Sequence, residues 1–188
     1  MVMRREKRYE EYAWVLDFIV RGTPRSKSRI RGRPFAQVIG ENFFTLLEVS
    51  VREGVILSVF ERVFVGKDNR EKIDHILGRI GYKDLTFSAK VELPRVIEYI
   101  ILHREREFVD FFNKAHPITP RMHSLELLPG IGKKYMWAII NEREKKPFES
   151  LKDVQERTGI PSPVKLLAKR IIEELMGESK YYLFVRMP

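Results

Sequence analysis

Cysteine is absent from all 188 residues, which excludes disulfides, thiol nucleophiles and thiolate metal sites and fits an intracellular setting. Long apolar runs are absent too: stretches such as Val96 to Leu102 fall far short of the roughly 20 residues a membrane span needs. The amino terminus, Met1 to Glu11, carries charges of both signs and leads straight into Tyr12-Ala13-Trp14-Val15-Leu16. It lacks the apolar core and small-residue cleavage site of a signal peptide, so the expected location is the cytoplasm. Acid is the minority charge, 26 Asp and Glu against 35 Lys and Arg, for a formal net charge of +9. Such a balance suits a chain that meets polyanions, and a charged fraction of 32% also suits a heat-stable protein laced with surface ion pairs.

What is present divides into two halves of different periodicity. The expected class is α+β, with an OB-like small β-barrel over residues 1–87 and a helical domain over residues 88–188. In the first half, Tyr12 to Val20, Phe35 to Ile39, Phe43 to Val51, Val55 to Val65 and Arg79 to Phe87 are short runs rich in Val, Ile, Phe and Thr. Short runs at this spacing predict a small antiparallel barrel or sandwich, and their count, near five, favours a barrel of the OB type. Between the last two, Asp68 to Leu77 has helical spacing through Ile73, Ile76 and Leu77, with Asp68 or Asn69 as the expected cap.

After Ala89 the apolar residues Val91, Val96, Ile97, Ile100, Ile101, Phe108, Phe111 and Phe112 recur at intervals of three and four, which predicts a long helix. Pro94 is read as a first-turn residue or a kink, and His116-Pro117-Ile118-Thr119-Pro120 ends the helix. Further helical segments are expected at Ser124 to Leu128, Lys133 to Glu144, Ser150 to Arg157 and Pro163 to Met176. The tail, Tyr181 to Val185, reads as extended.

The most specific feature is Leu125-Glu126-Leu127-Leu128-Pro129-Gly130-Ile131-Gly132-Lys133-Lys134, continuing to Ile140. It resembles a helix-hairpin-helix motif spanning residues 124–144. In that motif a helix ends at Leu-Pro, a Gly-Ile-Gly turn reverses the chain, and the next helix presents its free amides to phosphate. Pro129, Gly130, Ile131, Gly132, Lys133 and Lys134 are therefore candidate nucleic-acid-binding residues, with Ile131 as the plug between the helices. Cations in a first helical turn oppose the local dipole, so the placement of Lys133 and Lys134 is explained by an incoming anion. Met136 departs from the small residue usual at its position. A second, degenerate copy over residues 150–176 keeps Gly159-Ile160 but has Pro161 in place of the second glycine, removing one amide donor. Lys165, Lys169 and Arg170 on its final helix either touch a backbone or form a solvated face. No cofactor is implied, and a potassium or sodium ion on the hairpin carbonyls is compatible with the motif.

Between the first two strand candidates, Arg21, Arg25, Lys27, Arg29, Arg31 and Arg33 place six cations in a loop with no acid. In an OB barrel this first inter-strand loop grips oligonucleotides, with neighbouring aromatics as stacking platforms. Trp14, Phe18, Phe35, Phe43 and Phe44 are the aromatics available, and strand alternation assigns most of them to the core.

Together, Phe35 to Glu41, Leu46-Leu47-Glu48, Ala89 to Pro94 and the Leu128 to Lys134 hairpin resemble an uncharacterised archaeal family, the domain of unknown function 655. The resemblance covers nearly the whole chain and implies OB plus tandem helix-hairpin-helix architecture and nucleic-acid binding without an established activity. Its gene neighbourhoods, among ribosomal and transcription proteins, favour RNA over DNA. The expected function is thus non-enzymatic and largely sequence-independent: hairpin amides with Lys133 and Lys134 hold phosphates while the Arg21 to Arg33 loop closes over the strand. An adaptor docking on a ribosomal or transcription complex is the alternative. A repair glycosylase is a lesser one, invited by Lys134 and Asp153 but lacking the larger helical domain such enzymes use for a flipped base. His75, His103, His116 and His123 have no metal-ligand spacing, His116 and His123 being assigned to the loop between helices. No nucleotide-hydrolase phosphate loop is present.

Overall fold

The computed structural model describes residues 9–26 and 32–186. The chain is mixed α+β and divides into two compact units, Met1–Leu93 with Phe184–Pro188, and Pro94–Leu183.

The first unit is a curled five-stranded antiparallel sheet. Its strands are β1 (Tyr12–Ile19), β2 (Phe35–Gly40), β3 (Leu46–Val51), β4 (Arg62–Phe64) and β5 (Ile73–Arg79), in the order β4-β1-β2-β3-β5. Alternation sends Ala13 and Val15, Ala36 and Val38, and Val49 and Val51 to one face, where they meet Val63 and Ile73 in a buried cluster. The expected barrel is a half-barrel: among the described residues β4 and β5 do not pair. The expected run Val55 to Val65 contributes only the three residues of β4, because Phe60 takes a left-handed conformation (φ 71°) in the turn before it.

The helix expected over Asp68 to Leu77 is instead the approach to β5 and most of that strand. Val51 pairs with Ile73 and Val49 with Ile76, so two steps on β3 match three on β5. That bulge sets inward residues three apart, and the spacing imitates a helix. The strand expected over Arg79 to Phe87 is also corrected. Only Arg79 belongs to β5; a 3-10 turn follows at Tyr82–Asp84, with the Gly81 amide donating to Asp84 Oδ2 at 2.9 Å. Thr86 then caps α1 (Phe87–His103), its Oγ1 accepting from Ala89 N at 3.0 Å and donating to Asp17 Oδ2 at 2.6 Å.

In α1 Pro94 lies inside the helix rather than in its first turn. The long helix read from the sequence is two helices: the chain leaves helical geometry at Arg104 (φ −116°, ψ 33°) before α2 (Glu105–Lys114). A short ribbon, β6 (Pro117–Thr119) and β7 (Met122–His123), follows. The second unit is completed by α3 (Lys133–Lys145), α4 (Leu151–Thr158) and α5 (Pro163–Leu175), each ending close to its expected position. Ser150 caps α4, its Oγ accepting from Asp153 N at 2.9 Å. Ile100, Phe112, Leu125, Ile139, Val154 and Ile171, all fully buried, mark the core of this unit. The tail from Tyr181 runs through bends and forms no strand.

Candidate nucleic-acid interface

The turn between β7 and α3 is built from the sequence Ser124 to Gly132. Ser124–Leu127 forms one 3-10 turn, where the motif would have an α-helix. It is capped reciprocally: Leu125 N donates to His123 Nδ1 at 3.1 Å, and His123 N donates to Glu126 Oε2 at 2.8 Å. Leu128 N then bonds Leu125 O at 3.2 Å and Ile131 N bonds Leu128 O at 3.1 Å, which reverses the chain. Leu128 and Ile131 are buried and anchor the turn from inside.

The two glycines play different parts. Gly130 has φ +82°, a left-handed conformation that side chains resist. Gly132 is extended (φ −95°, ψ −166°), a conformation any residue adopts, and a Cβ there would meet nothing within 4 Å. The fold does not need a glycine at 132; the space beside its backbone is open.

The first bond of α3 runs from Met136 N to Gly132 O at 3.0 Å. Lys133, Lys134 and Tyr135 precede it, so their N–H groups have no acceptor within the helix and point out of its positive end. Lys134 is exposed, with no ion pair among the described residues, but Lys133 is already satisfied: its Nζ lies 3.0 Å from Glu126 Oε1. An external anion is therefore not needed to explain Lys133, and Lys134 alone opposes the helix dipole without an ion-pair partner among the described residues. Glu126 ionises more readily than usual because His123 N, and then Lys133, donate to it. Burial, followed by the Arg143 charge, lowers the His123 pKa and favours the neutral ring that accepts from Leu125 N.

Met136 is buried, whereas Trp137 is 55% exposed, one turn along α3 from Lys133 and on the same side of the helix. Trp137 is not among the residues expected from the sequence, because helical periodicity alone does not separate an exposed indole from the buried Met136 and Ile139 on the same helix.

The α4–α5 turn repeats part of this geometry, with Gly159 at φ +76° and Ile160 fully buried. Ser162 at φ +44° and Pro163 then open α5, leaving fewer free amides than at α3. Lys165 and Lys169 are exposed and have no ion pair among the described residues. Arg170 is not a surface cation: it is buried, bonding Glu174 Oε1 at 3.0 Å, Leu127 O at 3.3 Å and Tyr181 O at 2.5 Å. Asp153 is engaged with Glu149 N at 3.0 Å and Arg157 Nη1 at 3.1 Å, contacts that lower its pKa.

In the first unit Arg21, Arg25 and Arg33 are exposed, and Lys27, Arg29 and Arg31 lie outside the described residues. The stem of this loop is fixed by Glu48, which is fully buried and accepts from Arg25 N, Ser26 N and Gln37 Nε2 at 3.1, 2.5 and 3.1 Å. Trp14, Phe35 and Phe44 are core residues, and Phe18 and Phe43 are half-buried. No cluster of three or more metal-ligating side chains occurs among the described residues, and none of their helices is long and apolar enough to cross a membrane.

A crystal structure of a protein from Archaeoglobus fulgidus is similar over 94% of this chain and 100% of its own, at 53% identity and a TM-score of 0.85. An uncharacterized protein of Methanocaldococcus jannaschii is 47% identical over 182 residues, 96% of this chain and 82% of the relative. The family model described as protein of unknown function (DUF655) matches residues 9–186, and the chain belongs to that family.

Proposed function

We propose that this protein binds the phosphate backbone of nucleic acid, largely without regard to sequence and without catalysing a reaction, with RNA favoured over DNA. Gly132 carries the proposal. It is an open, unstrained position at the start of α3, beside the amides of Lys133, Lys134 and Tyr135, which have no acceptor within the helix, and beside Lys134, which has no ion pair among the described residues. A phosphate oxygen is the ligand such a position accommodates, since any side chain would hold it away from the amides. The second glycine of a Gly-Ile-Gly hairpin, the OB-like strand order opened between β4 and β5 and the net charge of +9 support the same reading. Asp153, held by a backbone amide and an arginine, offers no free base for glycosylase chemistry.

The test is a titration of labelled single- and double-stranded RNA and DNA at two salt concentrations, with the variant Gly132→Asp beside the parent. Aspartate is a favourable helix cap in the extended conformation found here, so the variant should melt at or above the parent temperature. Its carboxylate would meanwhile occupy the amides and repel phosphate, and affinity should fall about tenfold or more, the scale of lost charged hydrogen bonds. Unchanged binding by a well-folded Gly132→Asp protein would remove the hairpin from the interface.

An adaptor role, docking on a ribosomal or transcription complex, is the alternative that one face of α1 supports. Phe87 is 83% and Val91 54% exposed on successive turns of α1, an apolar pair that a partner protein would cover. It is favoured if nucleic acids bind weakly, alike, and only at low salt.

A further inference from the structure

In the first unit, independently of the turn at Gly132, two arginines line one cavity. The Val51 amide donates to Pro34 O at 3.2 Å, and the Arg52 amide to Lys72 O at 2.9 Å. These bonds set Arg33, just before β2, and Arg52, just after β3, on the wall of a cavity of about 730 Å³. A cavity of that size falls within the range that small ligands occupy and exceeds what a phosphate group alone fills. Arg52 Nε donates to Arg70 O at 2.8 Å, which fixes the plane of the guanidinium while its two Nη groups keep their donors for a ligand. Arg33 is exposed and makes no side-chain hydrogen bond or ion pair among the described residues. Two such groups favour a terminal phosphate, with close to two charges and three acceptor oxygens, over a singly charged diester.

The same cavity has an acidic wall. Asp74 and Glu53 line it, with His75 Nδ1 3.0 Å from Asp74 Oδ2 and the His75 backbone pinned by its N–H to Ser50 Oγ at 2.9 Å. These carboxylates repel further phosphates and accept hydrogen bonds from hydroxyl or amino groups. One dianionic group beside several hydroxyl and amino donors is the chemistry of a nucleoside monophosphate.

We propose that the Arg33–Arg52 cavity binds a single nucleoside monophosphate unit, whether as a free nucleotide or as the phosphorylated end of a strand. The probes are AMP, ATP and a short oligouridine bearing either a 5′-phosphate or a 5′-hydroxyl, measured by calorimetry on the full chain. Proteins to compare are the parent, Arg33→Ala with Arg52→Gln, and Gly132→Asp, each checked by thermal melting. The expected result is that the 5′-phosphate raises affinity about tenfold, that AMP binds better than ATP, and that both preferences vanish in the double arginine variant. Binding of AMP that competes with the phosphorylated strand identifies the free nucleotide as a sufficient ligand; a phosphate preference in the strand without AMP binding identifies the strand end. Both preferences should survive in Gly132→Asp even if overall strand affinity falls, which separates this site from the hairpin. Equal affinity of the two oligouridines with no AMP binding overturns the proposal, as does a preference that persists in a folded double variant.

Discussion

The Glu126 carboxylate meets Lys133 across the hairpin turn, with Nζ 3.0 Å from Oε1 and 3.1 Å from Oε2, while Oε2 also accepts from His123 N. One side chain therefore caps the 3-10 turn and neutralises a cation at the proposed phosphate site. Glutamine at this position keeps an acceptor for His123 N and discards the charge. Glu126→Gln should tighten nucleic-acid binding roughly 1.4- to five-fold, matching the ~0.2–1 kcal/mol of an exposed ion pair, with little change in melting temperature. Weaker binding by a folded Glu126→Gln protein would mean that Lys133 needs its partner in order to be positioned.

The His123 ring gives the second unit a defined pH response. Burial first, and then the Arg143 charge, lower its folded pKa below the usual value near 6.5. Between the folded and unfolded values the unfolded chain binds more protons, so stability from this group is complete above about pH 6.5 and is lost as pH falls through that window. Glu126, shifted down by its amide and Lys133 bonds, loses its share at lower pH, below the ordinary glutamate range. Urea unfolding at pH 7.5 and 5.5 should show the parent destabilised at the lower value. His123→Asn, which offers the Leu125 amide an oxygen that does not titrate, should flatten that difference; an unchanged slope would assign it elsewhere.

The starts of α3, α4 and α5 could be read in the sequence because their cues are local. Gly132, Ser150, Gly159 and Pro163 mark helix ends by chemistry that acts within one turn, and α3, α4 and α5 begin within a residue of their expected starts. Strand β5 was hidden because its bulge spaces Ile73 and Ile76 like a helix, and only the partner strand reveals the mismatch. Closure of the barrel depends on β4, and the turn at Phe60 leaves only three residues of strand where the sequence run is eleven residues long. The Lys133–Glu126 pair and the burial of Arg170 were equally illegible, since each depends on where a turn or a neighbouring helix brings a distant carbonyl or carboxylate.

Trp137 offers an optical report on the hairpin. Of the two tryptophans, Trp14 is buried with Nε1 donating to Glu41 Oε2 at 2.9 Å, whereas Trp137 is 55% exposed. A strand lying over the start of α3 should quench the exposed indole, and the change should vanish in Trp137→Phe. If an unpaired base stacks on it, Trp137→Ala should cost about 1–3 kcal/mol with single strands and much less with duplexes. Saturating binding without any change in Trp137 emission would place the strand on another surface.

Glu48 links the core of the sheet to the basic loop. Its carboxylate is fully buried on β3, yet Arg25 N, Ser26 N and Gln37 Nε2 all donate to it, and Gln37 in turn accepts from Thr86 N at 2.8 Å, just before α1. A buried carboxylate is tolerable only with such donors, and glutamine replaces one of its two acceptor oxygens by an amide donor, so at least one of these bonds is lost while the shape stays nearly unchanged. Glu48→Gln should therefore cost about 1–3 kcal/mol of stability, and it should loosen the loop stem before the sheet unfolds, because two of the three donors belong to that stem. Limited trypsin digestion separates local from global release: cleavage after Arg25 should accelerate under conditions where far-ultraviolet circular dichroism is still that of the parent. If cleavage after Arg25 instead tracks loss of the whole sheet signal, Glu48 stabilises the half-barrel as a unit and the loop stem has no separate anchor.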